Sequence, residues 1–437
     1  MSLTLPVARE IYNACNPDES LGPDDPRNVD LDASGDDGLV RGESWARRLA
    51  TKVAVANKPT CVLFTGLPGS GKSTELRRFA KIVEDEQRYL VVIADALELL
   101  DLSAEIDVPD ILMVMLYRAE QAVLTLEGRS GKDALKDSPM KRLWQWMDRT
   151  DIQLKEGEVG FGPDEASTKL VFEMKTRETV RQRIRRHLAA NLSAFIEEVR
   201  REFLRLEGRA KKAGREGMVL VLDSLEKLQG TSTSWEKVLE SAERVFSSNA
   251  SYLRLPVHTL YTIPPALSMR LRVDVEFLPM VKLRTREGKR HEAGYAAMRR
   301  LIERRVKAAH LNELLGPTTL DARVEEVIAS SGGYPRELMR LLQALVESAM
   351  TRGVGFDQPT FERVLERSRD TYRRLVRASG ALPWLRKVRE TQRLSADSAE
   401  ELSAAADMLR DNVVLRYLND AEWYELHPAV RDMEELR

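Results

Sequence analysis

Cysteine is nearly absent from this chain of 437 residues: only Cys15 and Cys61 occur. Two thiols cannot build a disulfide framework or a four-ligand zinc site, and Cys61 lies within an apolar run, so a reducing cytosol is the expected setting. Histidine is scarce, with five residues, and neither H-E-x-x-H nor G-x-S-x-G occurs, which removes the common zinc-protease and serine-hydrolase constellations. Neither charge is in excess: Lys plus Arg is 68 and Asp plus Glu 69, so any affinity for nucleic acid or a membrane surface has to be local. No stretch approaches the roughly 18 apolar residues of a spanning helix. The opening MSLTLPVAREIYNACNPDES also lacks the basic start and long apolar run of a signal peptide, so neither export nor membrane insertion is expected. Fixed-period repeats and low-complexity tracts are missing too. What remains is 43% hydrophobic and 31% charged, ordinary for a globular chain of about two or three domains.

Residues 16–38, NPDESLGPDDPRNVDLDASGDDG, are acidic and rich in Pro, Gly and Asp, and read as an extended arm or loop. Trp45, Leu49, Val53 and Val55 then share a helical face. Cys61–Phe64 form a buried strand, Gly66–Gly71 a loop, and Ser73 starts a helix with Leu76 and Phe79 on one side. YLVVIAD (89–95) is a second strand, followed by a helix over 107–126 capped by Asp107 with Pro109 in its first turn. The pattern changes over 127–176, which reads as an insertion. DIQLKEGEVGFG (151–162) alternates like a hairpin or extended loop, and Val180, Ile184, Leu188, Phe195, Val199 and Phe203 predict one long helix ending near RAKKAGREG.

MVLVLD (218–223), VHTLYT (257–262) and FLPMVKL (277–283) supply three more strands, and strands alternating with helices predict a parallel sheet covered on both faces. From about 290 to 410 only helical patterns occur. NVVLRYLNDAEWYELHP, after the helix SAEELSAAADMLRD, reads as two strands around an Asn-Asp turn, a small winged-helix-like unit. Within it Trp423 and Tyr424 point to opposite faces, one expected in the core and the other facing a partner. The expected fold class is α/β: an arm (1–38), a P-loop domain with a parallel five-stranded sheet (39–288) carrying a helical insertion (about 127–215), a helical lid (289–380) and the winged-helix-like unit (381–437).

Gly66, Gly71, Lys72 and Ser73 satisfy G-x-x-x-x-G-K-[ST] between a strand and a helix, where the mechanism of a phosphate loop requires it. Glycines let backbone N–H groups wrap a β-phosphate without Cβ clashes, and the following helix N-terminus adds a favourable dipole. The whole cradle is Gly66, Pro68, Gly69, Ser70, Gly71, Lys72, Ser73 and Thr74. Lys72 would neutralise phosphate oxygens, and the Ser73 hydroxyl would ligate Mg²⁺. A neighbouring strand must supply a carboxylate that holds Mg²⁺ through water, and Asp223, ending MVLVLD, is the candidate; its bland role is a turn cap. Ser224 follows where a catalytic acid often stands, so Glu226 is the nearest acid to polarise a water, or else a surface partner of Lys227 or Lys237.

Together GLPGSGKST, VLVLDSLE and SSGGYPRELMRLLQAL resemble the AAA+ and STAND ATPases, P-loop superfamilies that include origin-recognition initiators and NACHT-type switch proteins, over about residues 40–350. The resemblance implies ATP and Mg²⁺ as ligands and maps a polar sensor onto Thr262 and a second-sensor arginine onto Arg336. It also maps the G-x-P element by which such lids contact the nucleotide onto Gly333-Tyr334-Pro335. Pro335 would start a helix and leave Arg336 in its first turn; an ordinary helix boundary with a solvated arginine is the plain alternative. LVRGESWARRL is similar to the motif just before the P-loop, but the family's Gly-Arg order is reversed here in Arg41-Gly42-Glu43, which puts its adenine contact in doubt. Arg270 and Arg272 hold the place where AAA+ members carry an arginine finger.

Three functions follow. The leading expectation is a regulatory, oligomerising ATPase, slow in turnover, that gates a partner effector protein, as STAND proteins of bacterial antiviral defence do; no membrane is involved and nucleic acid is not favoured. The rival is an initiator or loader acting on DNA through the winged-helix tail. In its favour, residues 284–310 carry nine Lys or Arg against three Glu; against it, NDAEWYELHPAVRDMEELR is acidic where a wing should be basic. The third is a nucleotide-binding scaffold that hydrolyses nothing.

Overall fold

The computed structural model describes residues 3–32, 39–129, 138–149, 166–230, 234–353, 357–419 and 421–436. The hairpin expected over 151–162 lies outside the described residues. In chain order, α1 (Leu5–Ala14) and α2 (Trp45–Ala54) precede β1 (Cys61–Gly66) and α3 (Lys72–Gln87). β2 (Leu90–Asp95) leads to α4 (Val108–Leu126), α5 (Pro139–Arg149), α6 (Ala166–Thr176), α7 (Glu178–Ala190) and α8 (Leu192–Lys212). Next come β3 (Met218–Asp223), α9 (Trp235–Phe246), β4 (His258–Thr262) and β5 (Val275–Leu278). A helical run follows: α10 (Glu292–Glu303), α11 (Ala308–Leu315), α12 (Leu320–Ser331), α13 (Pro335–Arg352), α14 (Gln358–Ser379), α15 (Leu382–Thr391) and α16 (Ala399–Arg410). β6 (Val414–Leu418) and β7 (Glu422–Leu426) follow, and a short helical turn over Pro428–Arg431 comes after them.

The chain divides into two compact units, one made of Leu49–Thr65 and Phe79–Glu276, the other of Met1–Arg48, Gly66–Arg78 and Phe277–Arg437. The sheet has the order β2-β3-β4-β1-β5, with β2, β3, β4 and β1 mutually parallel. All six residues of the interior strand β3 are buried, as an apolar run covered on both faces requires. Asp107 caps α4 in a full capping box with Asp110, fixing its entry after β2. The apolar periodicity that predicts one long helix over 180–203 is cut in two at Asn191, whose φ −126° and ψ 24° are not helical. The break lets α7 pack on α6 while α8 packs on α4. β5 also departs from expectation, starting at Val275 and ending at Leu278. Pro279 has no N–H to continue a ladder, and the N–H groups of Met280, Val281 and Lys282 turn to the carbonyls of Arg416, Gly333 and Val40.

In the other unit α1 packs on α13, burying Ile11 and Cys15 with Leu338, Leu342 and Leu345. The basic stretch 284–310 is not a free cationic face: Arg290 pairs with Glu292 and Glu325, Arg299 with Asp321, Lys307 with Glu10, and Arg286 donates to Gln392. At the chain's end α16 runs into the antiparallel hairpin β6–β7, the winged-helix-like unit expected. Trp423 and Tyr424 are both buried, at 2% and 5% exposure, so neither faces a partner. Trp423 stacks on Tyr417, and Tyr424 lies by the Arg416 guanidinium, covering both faces of the hairpin. Among the described residues no helix is long and apolar enough to cross a membrane, and no cluster of three metal-ligating side chains occurs.

Candidate functional site

β1 hands the chain to a loop whose shape depends on three glycines. A Cβ at Gly66 would come within 2.9 Å of the Leu278 carbonyl and of Ser70 Oγ. Gly69 and Gly71 adopt φ +81° and +99°, the left-handed region that costs any other L-residue strain. α3 begins at Lys72, so the N–H groups of its first turn, including those of Ser73 and Thr74, open toward the loop. Lys72 is buried, and its Nζ donates to the carbonyls of Gly66 at 2.9 Å and Leu67 at 3.1 Å. Ser70 Oγ is buried without a hydrogen-bond partner. A concave backbone with left-handed glycines, a lysine at its mouth, an orphaned hydroxyl and a helix N-terminus fits a chain of phosphates.

The elbow Gly332-Gly333-Tyr334-Pro335 closes on this loop from the same unit. A Cβ at Gly69 would lie 2.6 Å from Tyr334 Cε2 and 2.6 Å from Arg336 Cβ, so the phosphate loop and the first turn of α13 touch directly. Pro335 begins α13 as expected, and Arg336 follows in its first turn, half-buried. Tyr334 is 2% exposed; burial pushes its hydroxyl up to about 12, keeping it neutral as the acceptor of a 3.2 Å bond from Asn412 Nδ2. Pro68, Tyr334 and Arg336 open onto a cleft of ≈ 990 Å³ rimmed by Arg340, Arg363 and Arg367.

Arg41 is fully buried and its role is structural. Nε donates to Asp32 at 2.6 Å, one terminal nitrogen to Glu75 of α3 at 2.7 Å, and the other to the Ser70 carbonyl of the loop at 3.4 Å. These bonds assign it to holding the phosphate loop. Burial pushes the Asp32 carboxyl up to about 6 even with the guanidinium beside it. Sequence reasoning did not find the Asp32 and Glu75 partners, and it passed over the Tyr334 ring, whose only signal was the Gly-Gly-Tyr-Pro elbow.

The remaining candidates belong to the sheet unit. Phe64 pairs with Thr262, Leu222 with Tyr261, and Asp95 with Asp223, so the carboxyl ends of these strands finish level. Asp223 Oδ1 accepts the N–H of Ser224 at 2.7 Å, and Ser224 takes a left-handed φ of +67°, a sharp turn that swings the chain out of the strand. Leu225 N–H donates to Thr262 Oγ1 at 3.0 Å, which ties the β4 tip to the β3 turn, and Glu226 follows, half-buried. Arg270 is not the exposed residue expected of a finger: its side chain is 8% exposed and pairs with Glu236 and Glu243, whereas Arg272 is exposed.

No family model matches this chain, and no curated protein does. Among solved structures, the ORC1 protein of Aeropyrum pernix in complex with DNA is similar at a TM-score of 0.31 and 13% identity, with 88% of each chain covered. A likeness that remote says nothing of activity.

Proposed function

We propose that this chain binds ATP with Mg²⁺ on the Gly66–Thr74 loop, hydrolyses it slowly, and uses the nucleotide's state to switch its conformation or assembly and so control a partner effector protein. The observation that carries this reading is the contact of Gly69 with Tyr334 and Arg336, because a phosphate-loop change is then felt at once by the lid's helix. Lys72 would hold the β- and γ-phosphates, Ser73 would ligate Mg²⁺ with Asp223 behind a water, Thr262 would sense the γ-phosphate, and Arg336 would pair with it. The bound group supplies a phosphoanhydride whose γ-phosphoryl is either kept or lost. Slow turnover follows from Ser224 beside Asp223, which leaves Glu226 as the acid to orient water. Inverting a two-state equilibrium almost completely takes about 5 kcal/mol of differential binding, which Lys72 and Arg336 together are suited to supply. In this reading assembly is homo-oligomeric or with the effector, Arg272 replaces Arg270 as the finger candidate, and the STAND-like motifs make bacterial antiviral defence the setting.

A second reading, a loader acting on DNA, has one observation in its favour: the arginine-rimmed cleft beside the elbow, to which a sugar-phosphate backbone is complementary in charge. The test is equilibrium binding of ATP and ADP with Mg²⁺ to the wild type, Lys72→Ala and Arg336→Ala, with duplex DNA titrated in parallel. Lys72→Ala is expected to abolish binding of both nucleotides, and Arg336→Ala to weaken ATP about tenfold while sparing ADP, the loss of one charge-assisted contact. Equal losses for ATP and ADP would remove the switch role of Arg336, and steeply salt-dependent DNA binding would favour the loader.

A further inference from the structure

The acidic segment before the phosphate loop reads from sequence as extended chain, yet arginines of its own unit tie it down along its length. Arg336 Nε donates to the Pro17 carbonyl at 3.1 Å, and a terminal nitrogen lies 3.8 Å from Asp18. Arg77 of α3 donates to the Ser20 carbonyl, and Arg78, one residue on, reaches Asn28 at 3.1 Å, the Val29 carbonyl at 3.3 Å and Asp30 at 3.0 Å. Arg305 donates to the Arg27 carbonyl at 3.1 Å, while Arg27 itself clips Glu19 and Asp25 together. Arg77 and Arg78 sit on the helix that the phosphate loop starts, and Arg336 is the residue whose Cβ abuts Gly69. The segment is therefore anchored at Ser20 and 28–30 by the loop's own helix and held at 17–18 by the arginine that abuts the loop.

We propose that residues 16–32 form a strap that competes with the terminal phosphate of a nucleoside triphosphate for Arg336. The proposal rests on the nucleotide-binding function above. With the strap closed, the guanidinium is shared between a neutral carbonyl and Asp18, whose side chain is 81% exposed and only loosely paired. A phosphate oxygen in the half-buried loop is the stronger partner, since it offers Arg336 a charge-assisted, bidentate contact. A triphosphate therefore draws Arg336 away and frees Pro17 and Asp18, while the Arg78 and Arg41–Asp32 contacts hold the far end as a hinge. A diphosphate, lacking that oxygen, leaves the strap closed.

The experiment is amide hydrogen exchange on the full chain, alone and with ADP or ATPγS plus Mg²⁺, with calorimetric binding measured on the same samples. ATPγS is expected to raise exchange over residues 16–22 about tenfold, through release of the segment that Arg336 holds, and ADP to leave it unchanged. In Arg336→Ala the same amides should exchange fast in all three states. Should that variant misfold, Asp18→Lys keeps the question answerable: it repels Arg336 from the strap and should tighten ATPγS several-fold with ADP affinity unmoved. Bound ATPγS with unchanged exchange at 16–22, or an Asp18→Lys chain with the wild-type ATPγS-to-ADP ratio, overturns the strap alone. If neither nucleotide binds, the nucleotide site itself fails and the strap falls with it.

Discussion

Replacing Arg41 with Met removes the guanidinium that bridges two buried carboxylates and so asks whether the phosphate loop is held by electrostatics or merely by packing. Arg41, Asp32 and Glu75 have side chains 1%, 2% and 3% exposed, so water cannot take over when the cation goes. Glu75 keeps Arg78 at 2.9 Å, but Asp32 is left with the Trp45 N–H at 3.2 Å and no cation in contact. Breaking a buried pair by removing one partner costs about 3–5 kcal/mol, and that is the loss expected at pH 8. The loss should shrink as pH falls. Native Asp32 sits at about 6 with Arg41 present, and higher without it. The variant's native state therefore takes up a proton before the wild type's does, recovering up to about 1.4 kcal/mol per pH unit until the wild type also protonates. Opening free energies from amide exchange over residues 39–54, with urea and at pH 8, 7 and 6, measure this without assuming that the two units unfold together. Arg41→Lys should fall between, because an ammonium cannot span both carboxylates and the Ser70 carbonyl. A loss below about 1 kcal/mol, or one flat with pH, would refute the claim that Asp32 is uncompensated without Arg41.

Two further outcomes follow from the coordinates. Gly69→Ala should weaken nucleotide binding at least tenfold and lower the melting temperature more than Gly128→Ala does. Both sites have positive φ, but the Gly128 Cβ meets nothing within 4 Å whereas the Gly69 Cβ meets Tyr334 and Arg336; calorimetric titration and thermal melts read the difference. His427 is buried, stacks at 4.0 Å on Tyr372, and is pushed down to about 3 by burial and the nearby Arg431. Its folded state stays neutral while the unfolded chain binds a proton below about pH 6.5, so stability present at pH 7 is lost on acidification, about 2 kcal/mol by pH 5. Amide exchange over 381–436 at pH 7 and pH 5 should record that loss, and His427→Gln should flatten it.

What the sequence disclosed was what local pattern can encode. MVLVLD, YLVVIAD and the Asp107 cap carry their structure in adjacent residues, and the phosphate loop carries its own in a fixed spacing. Asn191 was passed over because an apolar stripe continuing at helical spacing on both sides hides a one-residue break. Trp423 and Tyr424 alternate as a half-exposed strand should, yet both are buried because the hairpin is covered on its two faces, a tertiary fact without a sequence period. The long-range arginine contacts were the least legible. Arg336 meets Pro17 across 319 residues and Arg305 meets Arg27 across 278, and no composition or spacing rule links such positions. The same holds for Arg270, which looks like a surface arginine until Glu236 and Glu243 of α9 are folded against it.

The C-terminal hairpin bears on the choice between switch and loader. Asn412 donates to Tyr334, Tyr417 Oη donates to the Gly332 carbonyl at 2.6 Å, and the Arg416 carbonyl accepts from Met280 N–H at 2.9 Å. A Cβ at Gly332 would stand 2.7 Å from Leu415 Cδ1. Leu415 and Tyr417 of β6 thus grip Gly332 of the elbow, whose Tyr334, with Arg336 just beyond it, lies on the phosphate loop. A wing that reads DNA has to present its hairpin to a groove, and here the hairpin's aromatic rings are inside and the Tyr417 hydroxyl is bonded to the elbow. A displacement of Tyr334 has to move Asn412 or break a buried hydrogen bond, at a cost of about 1–3 kcal/mol for the unsatisfied group. On the proposed function the hairpin would follow the state of the loop, as a nucleotide-controlled contact with another protein requires.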